Sequence, residues 1–544
     1  MMMHRAMRGV CIIGAFMALA WAQQPAIRVT THLVEVNVIV RDKNGPVAGL
    51  TKDDFVLLDK GKEQRIAVFN VSSARRAMPN APPLPPDVYS NRFERQAHAP
   101  ASATVVLIDN LNTKFEDQAY ARHQILKFLR SLELEDRIAL YSLGRGVRIL
   151  HDFTDDQQRL IRSIANYRGE TAHELAASEP DSSHTGDADI DKWLDEMNGG
   201  MSDFYIIDRV RTTLTAMEAI ANHLARLPGR KNLIWVSGSF PFSLGLNDPL
   251  GSPAREHRTF NDEIERATRA MNNANIAIYP VDARGLVGMP RLSAGNKPVA
   301  KPRAASNPRG APRAITDIPA GHDAMQALAE RTGGRAFYNT NDLRGAIRKA
   351  LEDSEGTYTL AFYPASQALD GKFHELKVKV DRKGVEVRHR KGYLAAGQRL
   401  PTDRQMRATI HNTVSSPLEA TGVGLTARLD PSDKPKPGSY QMMLAVDMRN
   451  LTVQQNDDRW MGAAEVVFVQ QSAEGKSLNS SIETLNLDMK DETYRAAVRD
   501  GLVLVKGIVP EKELSQVRVA VLDRATGMIG SLRVPAPQSP SAVR

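Results

Sequence analysis

Between residues 103 and 355 the chain keeps one rhythm, in which short apolar runs alternate with longer stretches at helical spacing. The first run is Thr104-Val105-Val106-Leu107-Ile108-Asp109, an apolar segment ending in a carboxylate. After it, Phe115, Tyr120, Ile125, Phe128 and Leu129 fall at helical spacing over 114–131. Strands are predicted at 137–143, 147–153, 232–236 and 276–281, and helices at 155–166, 203–227, 256–273, 322–332 and 341–353. Runs that are apolar on both faces and alternate with helices imply a mainly parallel sheet covered on both sides. The expectation is a doubly wound, Rossmann-like α/β domain over 103–355.

Outside that stretch the helical period fades. Residues 28–72 read as an N-terminal β unit, with a turn signal at Asp42-Lys43-Asn44-Gly45. Residues 73–102 carry Pro79, Pro82, Pro83, Pro85, Pro86 and Pro100, which read as a semi-rigid linker. Strand-like runs over 356–398 predict a β extension, and those over 415–535 predict a C-terminal β-sandwich with a short helix at 491–499. Two insertions interrupt the α/β stretch. Residues 169–203 hold ten acidic side chains against Lys192 alone, and 284–316 hold seven basic side chains, five prolines and no acid. Both read as exposed loops. Their opposite charges suggest a salt-sensitive lid over the ligand-binding edge.

Composition narrows the function classes. A chain of 544 residues corresponds to roughly three domains. Arg5 and Arg8, an apolar run over 10–21 and Ala20-Trp21-Ala22 read as a cleaved secretory signal over 1–22, which places the mature chain outside the cytoplasm, secreted or periplasmic. Cys11, the only cysteine, lies inside that segment, so the expected mature chain has no disulfide, cysteine nucleophile or thiolate metal site. Removing Arg5 and Arg8 takes the net charge from +8 to +6, a thin excess over so long a chain and no sign of nucleic-acid binding. No later stretch is long and apolar enough for a transmembrane helix.

Asp109 carries the chemistry. In an open α/β sheet, ligands bind outside the carboxyl ends of the strands, where strand order reverses. Asp109 ends the first strand and is followed by Asn110-Leu111-Asn112-Thr113. The arrangement resembles the metal-ion-dependent adhesion site of von Willebrand factor A domains, where Asp-x-Ser-x-Ser follows the first strand and binds a hard divalent cation such as Mg²⁺ through oxygen ligands. Asp109 matches the aspartate and Thr113 a hydroxyl, while Leu111 replaces the middle serine and has no ligating atom. Thr212 or Thr213 can match the family's distant threonine. Ser237 follows the fourth strand, in Val236-Ser237-Gly238, where the family has Thr-Asp-Gly, so that aspartate is missing. Asp282 ends the next strand, two strands or about 10 Å from Asp109, which is too far for shared ligation. The resemblance therefore implies a degenerate adhesion site. Asp109, Thr113, Thr212 and Ser237 are candidate ligands of Mg²⁺ or another divalent cation, and Asn110, Asn112 and Asp282 are candidate partner contacts. Without a metal, Asp109 would cap the first helix and Thr113 would bond locally.

Further blocks carry a wider resemblance to the VWFA-related exported proteins known mainly from acidobacteria. They are Gly49-Leu50-Thr51-Lys52-Asp53-Asp54-Phe55, Gly229-Arg230-Lys231-Asn232-Leu233-Ile234-Trp235-Val236-Ser237-Gly238, Tyr279-Pro280-Val281-Asp282-Ala283-Arg284-Gly285-Leu286 and Arg390-Lys391-Gly392-Tyr393. The likeness spans 28–395 and implies export, a VWA-type fold and no established enzymatic activity; taken with the strand-end site, the expectation is a binding or assembly protein with a protein partner rather than an enzyme. A purely structural module is the first alternative and a hydrolase the remote one. His173-Glu174-Leu175-Ala176-Ala177 lacks the second histidine of a zincin helix, and Asp187-x-Asp189-x-Asp191 lacks the glycine and glutamate of a calcium loop. Neither a Gly-x-Ser-x-Gly elbow nor a phosphate-binding Gly-x-x-x-x-Gly-Lys-Ser/Thr loop is present.

Overall fold

The structure, a computed structural model, describes residues 33–72, 84–92, 103–132, 137–177, 187–227, 229–238, 254–285, 317–353, 356–364, 372–395 and 400–537. The expected signal segment, the basic insertion beyond residue 285 and part of the acidic one lie outside the described residues. The charge-paired lid over these insertions lies outside them too.

At the centre are five strands: β1 (Ala103–Asp109), β2 (Ile138–Leu143), β3 (Val147–Thr154), β4 (Lys231–Ser237) and β5 (Ile276–Asp282). Their spatial order is β5-β4-β1-β2-β3. The β5–β4, β4–β1 and β1–β2 pairs are parallel, and β3 returns antiparallel along the edge. β1, β2, β4 and β5 are buried at every position, as strands covered on both faces require. β3 is mostly half-buried and polar, in keeping with an edge strand. The chain moves outward from β1 through β2 and β3, then crosses back to place β4 and β5 on β1's other flank. Strand order therefore reverses at β1, whose carboxyl end carries Asp109.

Helices cover both faces. The first face packs Val105, Leu107, Leu233 and Trp235 against helix residues Met217, Ile220, Met271 and Met325. On the second, Val106, Ile108, Ile234 and Tyr279 meet Ile125, Phe128, Ile164 and Ile347. These helices are α1 (Phe115–Leu129), α2 (Gln157–Asn166), α3 (Ala188–Leu224), α4 (Ala254–Asn273), α5 (Asp317–Thr332) and α6 (Leu343–Glu352). Asp156 caps α2 by accepting from the Gln158 and Arg159 amides, and Asp342 caps α6 through the Gly345 amide.

The acidic insertion, expected as a loop, is partly helical. α3 starts at Ala188, inside it, and a short helix spans His173–Ala177. Asp187 is the N-cap, accepting from the Asp189 and Ile190 amides, and Asp189 and Asp191 lie in the first turn. Carboxylates there complement the positive end of the helix dipole, so the acidic run starts the helix.

The two β segments flanking the α/β stretch form one body. Val34–Asp42 pairs antiparallel with Thr357–Phe362, and Phe55–Asp59 with Phe373–Val380. Val36, Val38, Leu57, Leu360 and Val378 share its core. A buried clasp closes it: His374 Nδ1 lies 2.9 Å from Asp59, which also accepts from the Tyr393 hydroxyl at 2.9 Å. The C-terminal region has two antiparallel sheets whose buried faces share another core. Its first sheet gains Val88–Ser90, from within the proline-rich stretch expected as a linker, paired with Leu425–Ser432.

Candidate functional site

Asp109 is 1% exposed at the end of β1. Its Oδ1 accepts from the Asn112 backbone amide at 3.0 Å. Its Oδ2 accepts from Asn112 Nδ2, Trp235 Nε1 and Ser237 Oγ, each at 2.9 Å. Three donors therefore crowd Oδ2 while one reaches Oδ1. Burial pushes the Asp109 pKa up, and the bonds from Asn112, Ser237 and Trp235 oppose that rise without cancelling it.

Asn112 joins this carboxylate to α3. Its amide also donates to Thr213 Oγ1 at 2.9 Å, and its Oδ1 accepts from Arg209 Nε at 3.1 Å. The Thr213 hydroxyl donates to the Arg209 carbonyl at 2.8 Å. Thr113 Oγ1 accepts from the Gly238 amide at 2.8 Å, which ties the loop to the end of β4. Gln118 Nε2 donates to the Thr113 and Glu170 carbonyls at 2.9 Å.

Of the residues expected here from sequence, Asp109, Asn112, Thr113 and Ser237 come together. Thr212 is half-buried and makes none of these bonds, and its neighbour Thr213 takes the place in the network. Asp282 is paired in register with Ser237 but belongs to a separate cluster. It accepts from Arg284 Nε at 2.9 Å and Nη2 at 2.7 Å and faces His322 Nε2 at 3.1 Å. Asn110, Asn112 and Asp282, expected to touch a partner, are 2%, 0% and 1% exposed, so none of them has surface to offer one. Trp235 and Arg209 were not anticipated from the sequence. A tryptophan inside a strand expected to be buried was the available signal, because its N–H needs an acceptor there.

A divalent cation does not fit this donor set. Mg²⁺ needs oxygen lone pairs and room for several waters. Both Asp109 oxygens already accept from N–H or O–H donors, three of them on Oδ2, and Leu111, only 3% exposed, fills the middle position with hydrocarbon. The Arg209 guanidinium brings a cation of its own into the network. Among the described residues no group of three or more His, Cys, Asp or Glu side chains is placed to hold a metal.

Beside this closed network lies an open cleft of about 730 Å³, between the carboxyl edge of the central sheet and the C-terminal β body. Asn110, Leu111, Arg145 and Glu174 line one wall, and Gln471 and Arg518 the other. Arg145 pairs with Glu174 at 3.3 Å and Arg148 with Glu170 at 2.7 Å along the rim.

Together these features define a mixed α/β protein with several sheets, in which an interdomain cleft adjoins the strand ends. No protein-family model matches the sequence, and no curated protein does. Similar solved structures include a von Willebrand factor type A protein from Catenulispora acidiphila, at 9% identity over 94% of this chain and 75% of that one, with a TM-score of 0.24. Another is the three N-terminal domains of the type V pili tip protein Mfa5 from Porphyromonas gingivalis, at 9% identity over 88% and 78%, TM-score 0.24. A third is an aerotolerance-related membrane protein from Bacteroides fragilis, at 14% identity over 46% and 98%, TM-score 0.21. Superpositions this distant leave the functional reading to the chain's own residues. No helix among the described residues is long and apolar enough to cross a membrane.

Proposed function

We propose that this chain is an exported binding or assembly protein of the von Willebrand factor A type. It engages a protein partner at the carboxyl edge of its doubly wound sheet, and its adhesion-type metal position has become a metal-free latch. One observation carries the reading: the buried Asp109 carboxylate accepts four hydrogen bonds from its own chain, while the cleft beside it stays open. The latch fixes the Asn110–Thr113 loop that forms part of the cleft wall. Binding then falls to the cleft rather than to an ion.

The test places a photo-crosslinking amino acid at Arg145, whose side chain is 84% exposed on the cleft rim, or at Lys383, in an exposed turn of the other β body. In the native host a discrete protein adduct is expected from position 145 and none from 383. Adducts from neither position, or equally from both, overturn the edge reading. Thermal denaturation with Mg²⁺, Mn²⁺ or Ca²⁺ tests the latch. An ion at 100 times its dissociation constant adds about 2.7 kcal/mol of stability, and the expected shift is nil.

A further inference from the structure

The first half of α3 stands clear of the sheet that its second half covers. The second half is built into the central core through Val210, Leu214, Met217, Ile220 and Leu224. Arg209 and Thr213 bond Asn112, which marks the level of the strand ends. The chain leaves α3 toward the start of β4, so residues 188–205 run the opposite way, beyond the carboxyl edge. At about 1.5 Å per residue they make roughly 27 Å of helix. The short helix His173–Ala177, whose His173 and Glu174 line the cleft, packs against α3. One face of the projecting stretch is covered: Leu194, Asn198 and Tyr205 are half-buried and Ser202 is buried.

The neighbouring face is open. Ile190, Met197, Met201 and Phe204 are 48%, 46%, 52% and 64% exposed. Their spacings of seven, four and three residues bring them onto one line of the helix. Single exposed apolar side chains are ordinary, but a continuous row marks an interaction site. The row runs through sequence that carries seven acidic side chains against Lys192 alone over residues 187–208. Asp187 and Asp189 are exposed at one end of it and Asp208 at the other.

We infer that this row seats an amphipathic helix of the protein partner, with apolar side chains against Ile190, Met197, Met201 and Phe204 and lysines or arginines against the flanking carboxylates. A helix supplies apolar positions at matching spacing, so two such rows interdigitate along their length. Methionines suit the role because their unbranched side chains adapt to the surface they meet. Charge selects the occupant. A second copy of this chain would bring one acidic row against another, and an anionic bilayer would repel both ends. A basic helix is attracted by the same carboxylates. The inference rests on the reading of the carboxyl edge as a binding surface and adds which element holds the partner and what the partner presents.

Fluorescence anisotropy of three labelled peptides with the full chain tests it. The first peptide has leucines in a helical row flanked by lysines. The second has the same leucines flanked by glutamates, and the third is the first with its order scrambled to break the row. Saturable binding of the first is expected, with the other two weaker by about ten-fold or more. The double variant Met201→Ser, Phe204→Ser should weaken the first peptide by about ten-fold or more, the effect of losing a central apolar anchor. Both side chains are exposed, so the fold is expected to survive. Ile482→Ser, at a 59% exposed site on the C-terminal body, should leave binding unchanged. The peptide comparison on the unmodified protein stands whatever the double variant does. Equal binding of the scrambled peptide, no binding of the first, or full binding by the double variant overturns the inference. So does self-association of the full chain in sedimentation that the double variant abolishes, since the occupant is then a second copy. Peptide binding that appears only once residues 286–316 are deleted overturns it too, because the chain's own basic stretch is then the occupant. If crosslinking from position 145 persists when the peptides fail, the edge reading survives and only this helix falls. Loss of both removes both.

Discussion

Asp109 poses the sharpest question at the scale of single residues: whether its carboxylate holds an ion or holds the chain together. The two roles predict opposite effects of Asp109→Asn. In a vacant metal site, removing a buried negative charge that burial already disfavours relieves the apo protein. In the latch, the new amide cannot serve all four donors: with its NH2 at the Oδ2 position it faces the Trp235, Ser237 and Asn112 side-chain donors, and flipped it faces the Asn112 backbone N–H, so at least one buried donor loses its acceptor and the others lose a charged one. Because a charged acceptor is worth more than a neutral one and each orphaned donor carries its own desolvation penalty, loss is expected to win, by about 2–4 kcal/mol. Urea unfolding of the two proteins without added metal decides it. A variant as stable as the parent would reject the latch.

At the scale of elements, close backbone approach sets the packing around β5. A Cβ added to Gly334 would lie 1.9 Å from the Ile278 carbonyl oxygen, a backbone atom of that strand with no side chain able to move aside. Gly146, at the tip of the β2–β3 hairpin, has open space around its Cβ position and no left-handed φ. Gly334→Ala should therefore destabilise by about 1–3 kcal/mol through overpacking. Gly146→Ala should stay within about 0.5 kcal/mol of the parent. The denaturation midpoints of the two variants check the contrast, and equal midpoints would reject it.

At the scale of the whole molecule, the end of α3 is completed by another domain. Its Asn222 carbonyl accepts from the Thr421 backbone amide at 2.9 Å, and its His223 carbonyl from the Thr421 hydroxyl at 2.8 Å. These are last-turn carbonyls with no intrahelical donor. The His223 ring meets the Glu419 carbonyl through Nδ1 at 2.7 Å. Burial holds the His223 pKa below its usual 6.5, against smaller raising effects from Glu419 and Asp152. A folded-state pKa below the unfolded one means that, as pH drops under 6.5, the unfolded chain binds the proton first and stability is lost until the folded value is passed. Between pH 7.5 and 5 the parent should lose more stability than His223→Gln, by up to about 1.4 kcal/mol per pH unit below 6.5. Identical pH profiles would exclude this interface as an acid-sensitive joint.

The sequence by itself determined the local parts of this protein. Fully apolar runs such as Val105 to Ile108 can be satisfied only when covered on both faces, so β1, β4 and β5 and their intervening helices were legible from periodicity. So was the place of Asp109 at a strand's carboxyl end, because a carboxylate closing an apolar run marks where the strand leaves the core. The partners of that carboxylate were not legible. Trp235 and Arg209 reach the Asp109–Asn112 cluster from positions about a hundred or more residues away, and the choice of Thr213 over Thr212 depends on which way one turn of α3 faces. Nor could local pattern join Val34–Asp42 to Thr357–Phe362, or carry Val88–Ser90 into the C-terminal sheet, since strand pairing at such separations is set by the packing of whole faces. Tertiary structure alone decided which buried polar groups are paired and which are not, because a donor's partner depends on what the fold brings within 3 Å, and no spacing along the chain encodes that.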